Sequence, residues 1–440
     1  MPQRAARAAV IAVGTEITEG RIPNSNAALI SRRLLAAGVE TVLHVAVPDD
    51  LALIERALRD AAAQADVLIV TGGLGPTLDD ITREAAARLA GVGLETDPAA
   101  LERIEKIFAA LGRPMRENNR RQAERPAGAE SIPNDLGTAP GFRMKLAGAD
   151  AFFLPGVPHE MEAMLERSVL PALEARFLGG GAVEVRRLNC FGLSESEIDH
   201  VLAPLFREGD IELAFNIDDA AVQIYLTCRG APAREAARAR LDEAAARVRS
   251  ALGASVFSEG PVGLEEALAS LLRERRLTIG LAESCTGGLA TARLARVPGV
   301  SEALRGAVVA YSNEAKIRLL GVPEALIAAC GAVSREVALA MAEGARRALA
   351  ADVGVAITGI AGPTGGTPEK PVGLVHIAVA LGETTREREL RFFGERTRVQ
   401  LLAAMAALEQ VRRAILFDSR SAKGGLSPCG DDPSPRARVP

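Results

Sequence analysis

Tryptophan is absent and tyrosine occurs only twice in 440 residues. The chain therefore lacks the aromatic platforms on which single-stranded nucleic acid is usually stacked. It also lacks a charge of one sign: 52 Lys and Arg stand against 56 Asp and Glu, both signs interspersed, for a formal charge of -4. That leaves no broad basic footprint for nucleic acid. No apolar run approaches the roughly 20 residues needed to span a bilayer. The N-terminal Met-Pro-Gln-Arg-Ala-Ala-Arg runs straight into a strand without the separate apolar core of a signal peptide. The five cysteines, Cys190, Cys228, Cys285, Cys330 and Cys429, have no CxxC or Cys/His metal spacing, and their odd number argues against a disulfide framework. Taken together, these absences predict a reduced, cytoplasmic protein with neither nucleic acid nor membrane as partner.

What the chain does have is alternation. Ala8–Val13, Thr41–Val47 and Val67–Val70 read as strands, separated by helical patterns over 27–35 and 51–63. Strands and helices alternating at this spacing predict an α/β fold with a doubly wound parallel sheet over residues 1–178. Gly179-Gly-Gly181 marks a boundary. Residues 179–258 read as a small α+β domain of βαβαβ order, with Ser194 and Glu197 spaced as a capping box. Residues 259–417 read as a second α/β domain. The segment 418–440 has too few apolar residues to support a core, which predicts disorder.

In the N-terminal domain the loops after Val13 and Val70 fall where open α/β sheets place ligands. Gly72, Gly73 and Gly75 with Pro76 let the backbone of Thr71–Asp80 pass close to a ligand, and its N–H groups suit a phosphate. Asp79 and Asp80, with Glu16 from the first loop, offer oxygen ligands for Mg²⁺. An acidic pair opening a helix serves equally well as a cap and dipole partner. Asn118 and Gln122, then Thr138, then Gly156 and Pro158 supply neutral donors and turns suited to a sugar-phosphate. Turn chemistry alone also accounts for those residue types.

The stretch Leu277–Gly288 carries the sharpest signal. A short apolar run is followed by Glu283-Ser-Cys-Thr286, then Gly287 and Gly288, then a helical pattern. This order predicts a buried strand, a tight turn and a helix start, with Ser284 at the carboxyl end of the strand beside unpaired helix N–H groups. Ser284 is the leading nucleophile; its neighbour Cys285 is the rival, because a thiolate is intrinsically stronger. A serine needs a base. None of the four histidines lies in a nucleophile elbow, and His376 sits inside an apolar strand as a sheet residue. Lys316, in the first turn of a helix that starts at Ser312 or Asn313, is better placed: the positive end of a helix lowers a lysine pKa. Thr358 and Gly359 close a third strand, Val353–Thr358, and suit a phosphate or a carboxamide. The three loops converge only if their strands are neighbours.

Several motifs carry a resemblance. Gly14-Thr-Glu16, Gly20, Asn26, Thr71–Thr77 with Asp79 and Asp80, Gly137–Gly141 and Leu154–Pro158 resemble the molybdopterin-binding-type domain of the competence/damage-inducible CinA family. Ala282–Gly288 resembles that family's C-terminal nicotinamide mononucleotide deamidase domain. The resemblance implies Ser284 as nucleophile, Lys316 as base and Tyr311 as a further hydrogen-bonding residue. It implies Cys285, Thr286, Gly287, Gly288, Thr358, Gly359, Ala361, Gly362 and Arg396 around the substrate. Where a second arginine often follows, this chain has Gln400, with Arg398 displaced. For the deamidation no cofactor is implied. The N-terminal domain is implied to hydrolyse ADP-ribose with a divalent metal, Mg²⁺ or a transition metal, held by Glu16, Asp79 and Asp80. A pterin- or nucleotide-binding module without catalysis is the other reading of that domain. The family also implies a homodimer, whereas the DNA-uptake role in its name has no support in the charge pattern.

Overall fold

The computed structural model describes residues 6–177, 182–207, 209–231 and 233–418. The glycine run 179–181 and the tail beyond Asp418, with Cys429, lie outside the described residues. Two compact units emerge: residues 1–185 with Thr227–Leu241, and Arg186–Leu226 with the chain from Asp242 on. Their boundary cuts across the small domain read from sequence. The 227–241 stretch joins the first unit through Arg229 to Glu40, Arg234 to the Ala36 carbonyl and Arg238 to Glu184.

The first unit is built on a six-stranded sheet in the order Val39–Val47, Ala6–Val13, Val67–Thr71, Ala149–Leu154, Gly141–Leu146, Glu130–Ile132. The first four run parallel; Gly141–Leu146 pairs antiparallel with Ala149–Leu154, and Glu130–Ile132 antiparallel with Gly141–Leu146. Those antiparallel strands depart from the parallel sheet expected. Their cause is local: Ala147 and Gly148, both at positive φ, form a two-residue turn that folds Gly141–Leu146 back onto Ala149–Leu154. Alternate residues face opposite layers. Ile11, Leu68, Val70 and Phe153 join the core with Ile54, Leu58, Ala85 and Ala86, while Val10, Ile69 and Phe152 join the core with Ile30, Leu34 and Met161.

The small sheet has the order Ile211–Asp218, Ala221–Ala231, Ala182–Cys190, Val256–Glu259. Ile211–Asp218 is a strand that the βαβαβ reading lacks. Its signal is the period-2 spacing of Ile211, Leu213, Phe215 and Ile217, but none of its residues is buried. The Ser194 capping box forms as read, with Ser194 and Glu197 reciprocally bonded.

The C-terminal part of the second unit is a five-stranded sheet in the order Leu304–Val309, Ile279–Glu283, Val353–Gly359, Leu374–Leu381, Thr384–Arg391. The first three strands are parallel, so their carboxyl ends lie side by side; Leu374–Leu381 pairs antiparallel with Val353–Gly359, and Thr384–Arg391 antiparallel with Leu374–Leu381. Leu281, Val355, Ile357 and Ile377 face a core with the helices Leu264–Arg275 and Arg396–Leu416. Ala282, Ala356, Ala378 and Ala380 face the helix Arg335–Ala348. Among the described residues no helix is long and apolar enough to cross a membrane.

Candidate active site

Ser284 follows directly on the strand Ile279–Glu283, and its N–H donates to the Ile357 carbonyl of the neighbouring strand at 2.9 Å. Gly287 and Gly288 take the next turn at φ of 63° and 101°, a region where an L side chain is strained. The helix Leu289–Ala295 then begins. On the other side, Ser312 accepts from the Ala315 N–H and starts the helix Asn313–Leu320. Lys316 lies in that helix's first turn and is only 1 % exposed.

The Lys316 Nζ stands 3.0 Å from the Ser284 Oγ, 2.9 Å from the Ala310 carbonyl and 3.3 Å from the Tyr311 carbonyl. Burial pushes the Lys316 amine below its ordinary range, with Cys285 acting the other way. In the neutral form the nitrogen has two hydrogens and one lone pair. The two carbonyls can only accept, so the lone pair is left for the Ser284 hydroxyl. Cys285 is buried, and burial pushes its thiol up to about 12, which leaves it protonated near neutral pH.

Glu283, unsingled by sequence reasoning, organises the turn. Fully buried, it accepts from the Thr286 hydroxyl at 2.7 Å, from the N–H groups of Gly288, Ala290 and Thr291 at 3.0, 3.1 and 2.8 Å, and from the Thr291 hydroxyl at 2.5 Å. The helix start expected to stabilise substrate charge is thus largely engaged by Glu283. The Gly287 N–H donates to the Ser284 carbonyl and the Leu289 N–H to the Thr286 carbonyl. Among the described residues the Cys285 and Thr286 amides of this turn donate to no other residue, the Cys285 N–H lying against its own thiol, and the Thr286 side chain donates to Glu283.

Arg396 joins two of the loops, donating to the Gly362 carbonyl and to the Tyr311 hydroxyl, both at 2.7 Å. Tyr311 is exposed. Gln400 donates to the Cys285 carbonyl at 2.7 Å and so tethers the nucleophile's own turn. Thr358 is buried beside these loops, but its hydroxyl donates to the Ala332 carbonyl, so it braces the loop at 332. Gly359 ends the strand and Ala361 is buried next to Gly362. His376 pairs with Glu387 at 2.7 Å inside the sheet, as a strand residue.

In the first unit a cavity of about 440 Å³ is lined by Glu16, Asn26, Gly72, Gly73, Gly75, Asp79, Asp80, Gln122, Thr138, Gly156 and Pro158. Asp49 and Glu160, absent from the sequence reading, line it too. Thr77 and Asn118 are not in the lining. Thr77 donates its N–H and hydroxyl to Asp80 at 2.8 and 2.5 Å, and Asn118 is exposed on the short helix Glu117–Arg120, where the neighbouring Asn119 contacts Gln122. The Gln122 amide reaches the Thr138 hydroxyl at 3.0 Å, and Asn26 donates to the Gly156 carbonyl at 2.8 Å.

Glu16, Asp79 and Asp80, the residues named for a metal, all line this cavity. Among the described residues no three His, Cys, Asp or Glu side chains gather as a metal-holding group. Asp80 is engaged by Thr77, a hydrogen bond from Thr77 holds the Asp79 carboxyl below its ordinary range, and the Glu16 carboxylate folds back over Gly14. As placed, Glu16, Asp79 and Asp80 do not gather around one point.

Residues 9–175 match the family described as a probable molybdopterin binding domain, 185–258 the damage-inducible protein CinA KH domain, and 262–415 the CinA C-terminal domain. A CinA-like protein of Citrifermentans bemidjiense is 44% identical over 411 residues, covering 93% of this chain and 98% of the relative. A putative competence-damage inducible protein of Moorella thermoacetica is 42% identical, covering 93% and 99%. Among solved structures, the protein CinA with unknown function from Thermoplasma acidophilum is 38% identical, covering 40% of this chain and 99% of its own, at a TM-score of 0.36. With three family domains in this order and relatives aligned along nearly its whole length, the chain belongs to the CinA family.

Proposed function

We propose that the C-terminal domain hydrolyses the carboxamide of nicotinamide mononucleotide to nicotinate mononucleotide and ammonia. The observation that carries this reading is the buried Lys316 amine held 3.0 Å from the Ser284 hydroxyl by two carbonyls. Lys316 takes the Ser284 proton as Oγ attacks the carboxamide carbon. The Cys285 and Thr286 N–H groups hold the resulting oxyanion, each contributing on the order of 3 kcal/mol. Lys316 returns the proton to the departing ammonia, and water then cleaves the ester at Ser284. Arg396 and Tyr311, bonded to one another, are assigned to the ribose phosphate. The test is ammonia release from nicotinamide mononucleotide by the full chain. Ser284→Ala abolishes it with the fold intact; undiminished release by that variant overturns the assignment.

The first-unit cavity is assigned to a phosphate-bearing nucleotide, ADP-ribose in the reading that the resemblance implies. Cleavage of that ligand draws no support from the carboxylates as placed. AMP formed from ADP-ribose in the presence of Mg²⁺ or a transition metal identifies a pyrophosphatase; binding without AMP identifies a binding module. Nucleic acid remains outside the proposal. KH modules clamp RNA with a Gly-x-x-Gly loop, and residues 185–258 contain no such spacing.

A further inference from the structure

The turn after the strand Val67–Thr71 has an unusual backbone arrangement. Its successive carbonyls are all bonded from one side: Gly72 by the Thr82 hydroxyl at 2.9 Å, Gly73 by the Thr82 N–H at 3.2 Å, Leu74 by the Arg83 Nη1 at 2.7 Å and Gly75 by the Arg83 Nη2 at 3.0 Å. In a trans peptide the N–H points opposite to the preceding carbonyl. The N–H groups of Gly73, Leu74 and Gly75 are therefore turned away from Thr82 and Arg83. The cavity is lined by Gly72 to Pro76 but by neither Thr82 nor Arg83, so those three N–H groups face it. Consecutive N–H groups aimed at one point form an anion nest.

Arg83 adds charge to this geometry. It is 1 % exposed, its guanidinium donates to the two neutral carbonyls, and its Nε has no hydrogen-bond partner among the described residues. Burial penalises this cation, and the charges of Glu84, Asp80 and Glu124 offset part of that cost; a phosphoryl group across the loop adds a further negative partner. Gly72 and Gly73 are required here, because a Cβ would meet the Val13 carbonyl and the Thr82 hydroxyl at 2.1 Å each.

We infer that Thr82 and Arg83 are positioning residues that turn the Gly73–Gly75 amides into a cradle for a phosphoryl group, with the Arg83 charge beneath it. The inference rests on the assignment of this cavity to a phosphate-bearing ligand. A nucleotide and a phosphorylated pterin would use the same cradle.

The test is calorimetric binding of inorganic pyrophosphate to the full chain and to three variants, with thermal melting as the check on folding. Arg83→Met is expected to weaken binding tenfold or more. Arg83→Lys, which keeps the charge but not the two-carbonyl grip, should fall between Met and the parent. Thr82→Val, which keeps the Arg83 charge and frees only the Gly72 carbonyl, should weaken binding severalfold. If Arg83→Met does not fold, the Lys and Val variants decide. Folded variants that bind as tightly as the parent overturn the positioning role. A parent chain that binds no pyrophosphate removes the phosphate assignment itself. Displacement by ADP-ribose, set against displacement by a pterin phosphate, separates the two ligand classes.

Discussion

At the scale of single residues, the chemistry depends on which form of Lys316 meets Ser284. A protonated amine has no lone pair for the serine proton, so activity must rise with pH as Lys316 loses its proton. Because burial lowers this pKa, the rising limb is expected below the roughly 10.5 of an ordinary lysine. A rate profile for ammonia release measures it; a limb at the ordinary lysine value contradicts burial as the activating cause. Lys316→Ala should lower turnover by about 10²–10⁴-fold, the usual contribution of a positioned base. Cys285→Ala, by contrast, should leave most of the activity, since the thiol stays protonated and is not the attacking group.

At the scale of elements, the strand-to-helix turn around Ser284 is fastened by a carboxylate beneath it. Glu283→Ala leaves three N–H groups and two hydroxyls without their acceptor. The expected cost is about 3 kcal/mol of stability, read by urea unfolding. Glu283→Gln should recover only part of it, because an amide NH₂ faces donors where an oxygen accepted. Ser284 and Lys316 were legible in the sequence because both sit at element boundaries, where composition changes abruptly. Glu283 was not, since a carboxylate ending an apolar strand looks like a solvent-facing terminus until the helix folds over it. Gln400 reads as the loss of a family arginine, yet the fold gives it the Cys285 carbonyl, a role fixed by a contact 115 positions away in sequence. The antiparallel edge of the first sheet was hidden for a similar reason: the strands Gly141–Leu146 and Glu130–Ile132 are short and lie among Pro-Gly turns.

At the scale of the molecule, each unit carries its own candidate site. Among the described residues no three carboxylates gather around the first-unit cavity, so binding of ADP-ribose to the full chain should survive EDTA. Calorimetry with and without chelator checks this, and binding lost on chelation would show that an ion completes the site. Ser284→Ala should leave that binding unchanged. The reaction in the second unit can be caught in the act. If Ser284 attacks the carboxamide, rapid acid quenching during turnover of nicotinamide mononucleotide should leave the nicotinate mononucleotide acyl group on the peptide containing residues 277–293. Fragment mass spectrometry should place it on Ser284. An adduct on Cys285, or steady ammonia release from Ser284→Ala with no adduct at all, would contradict the account.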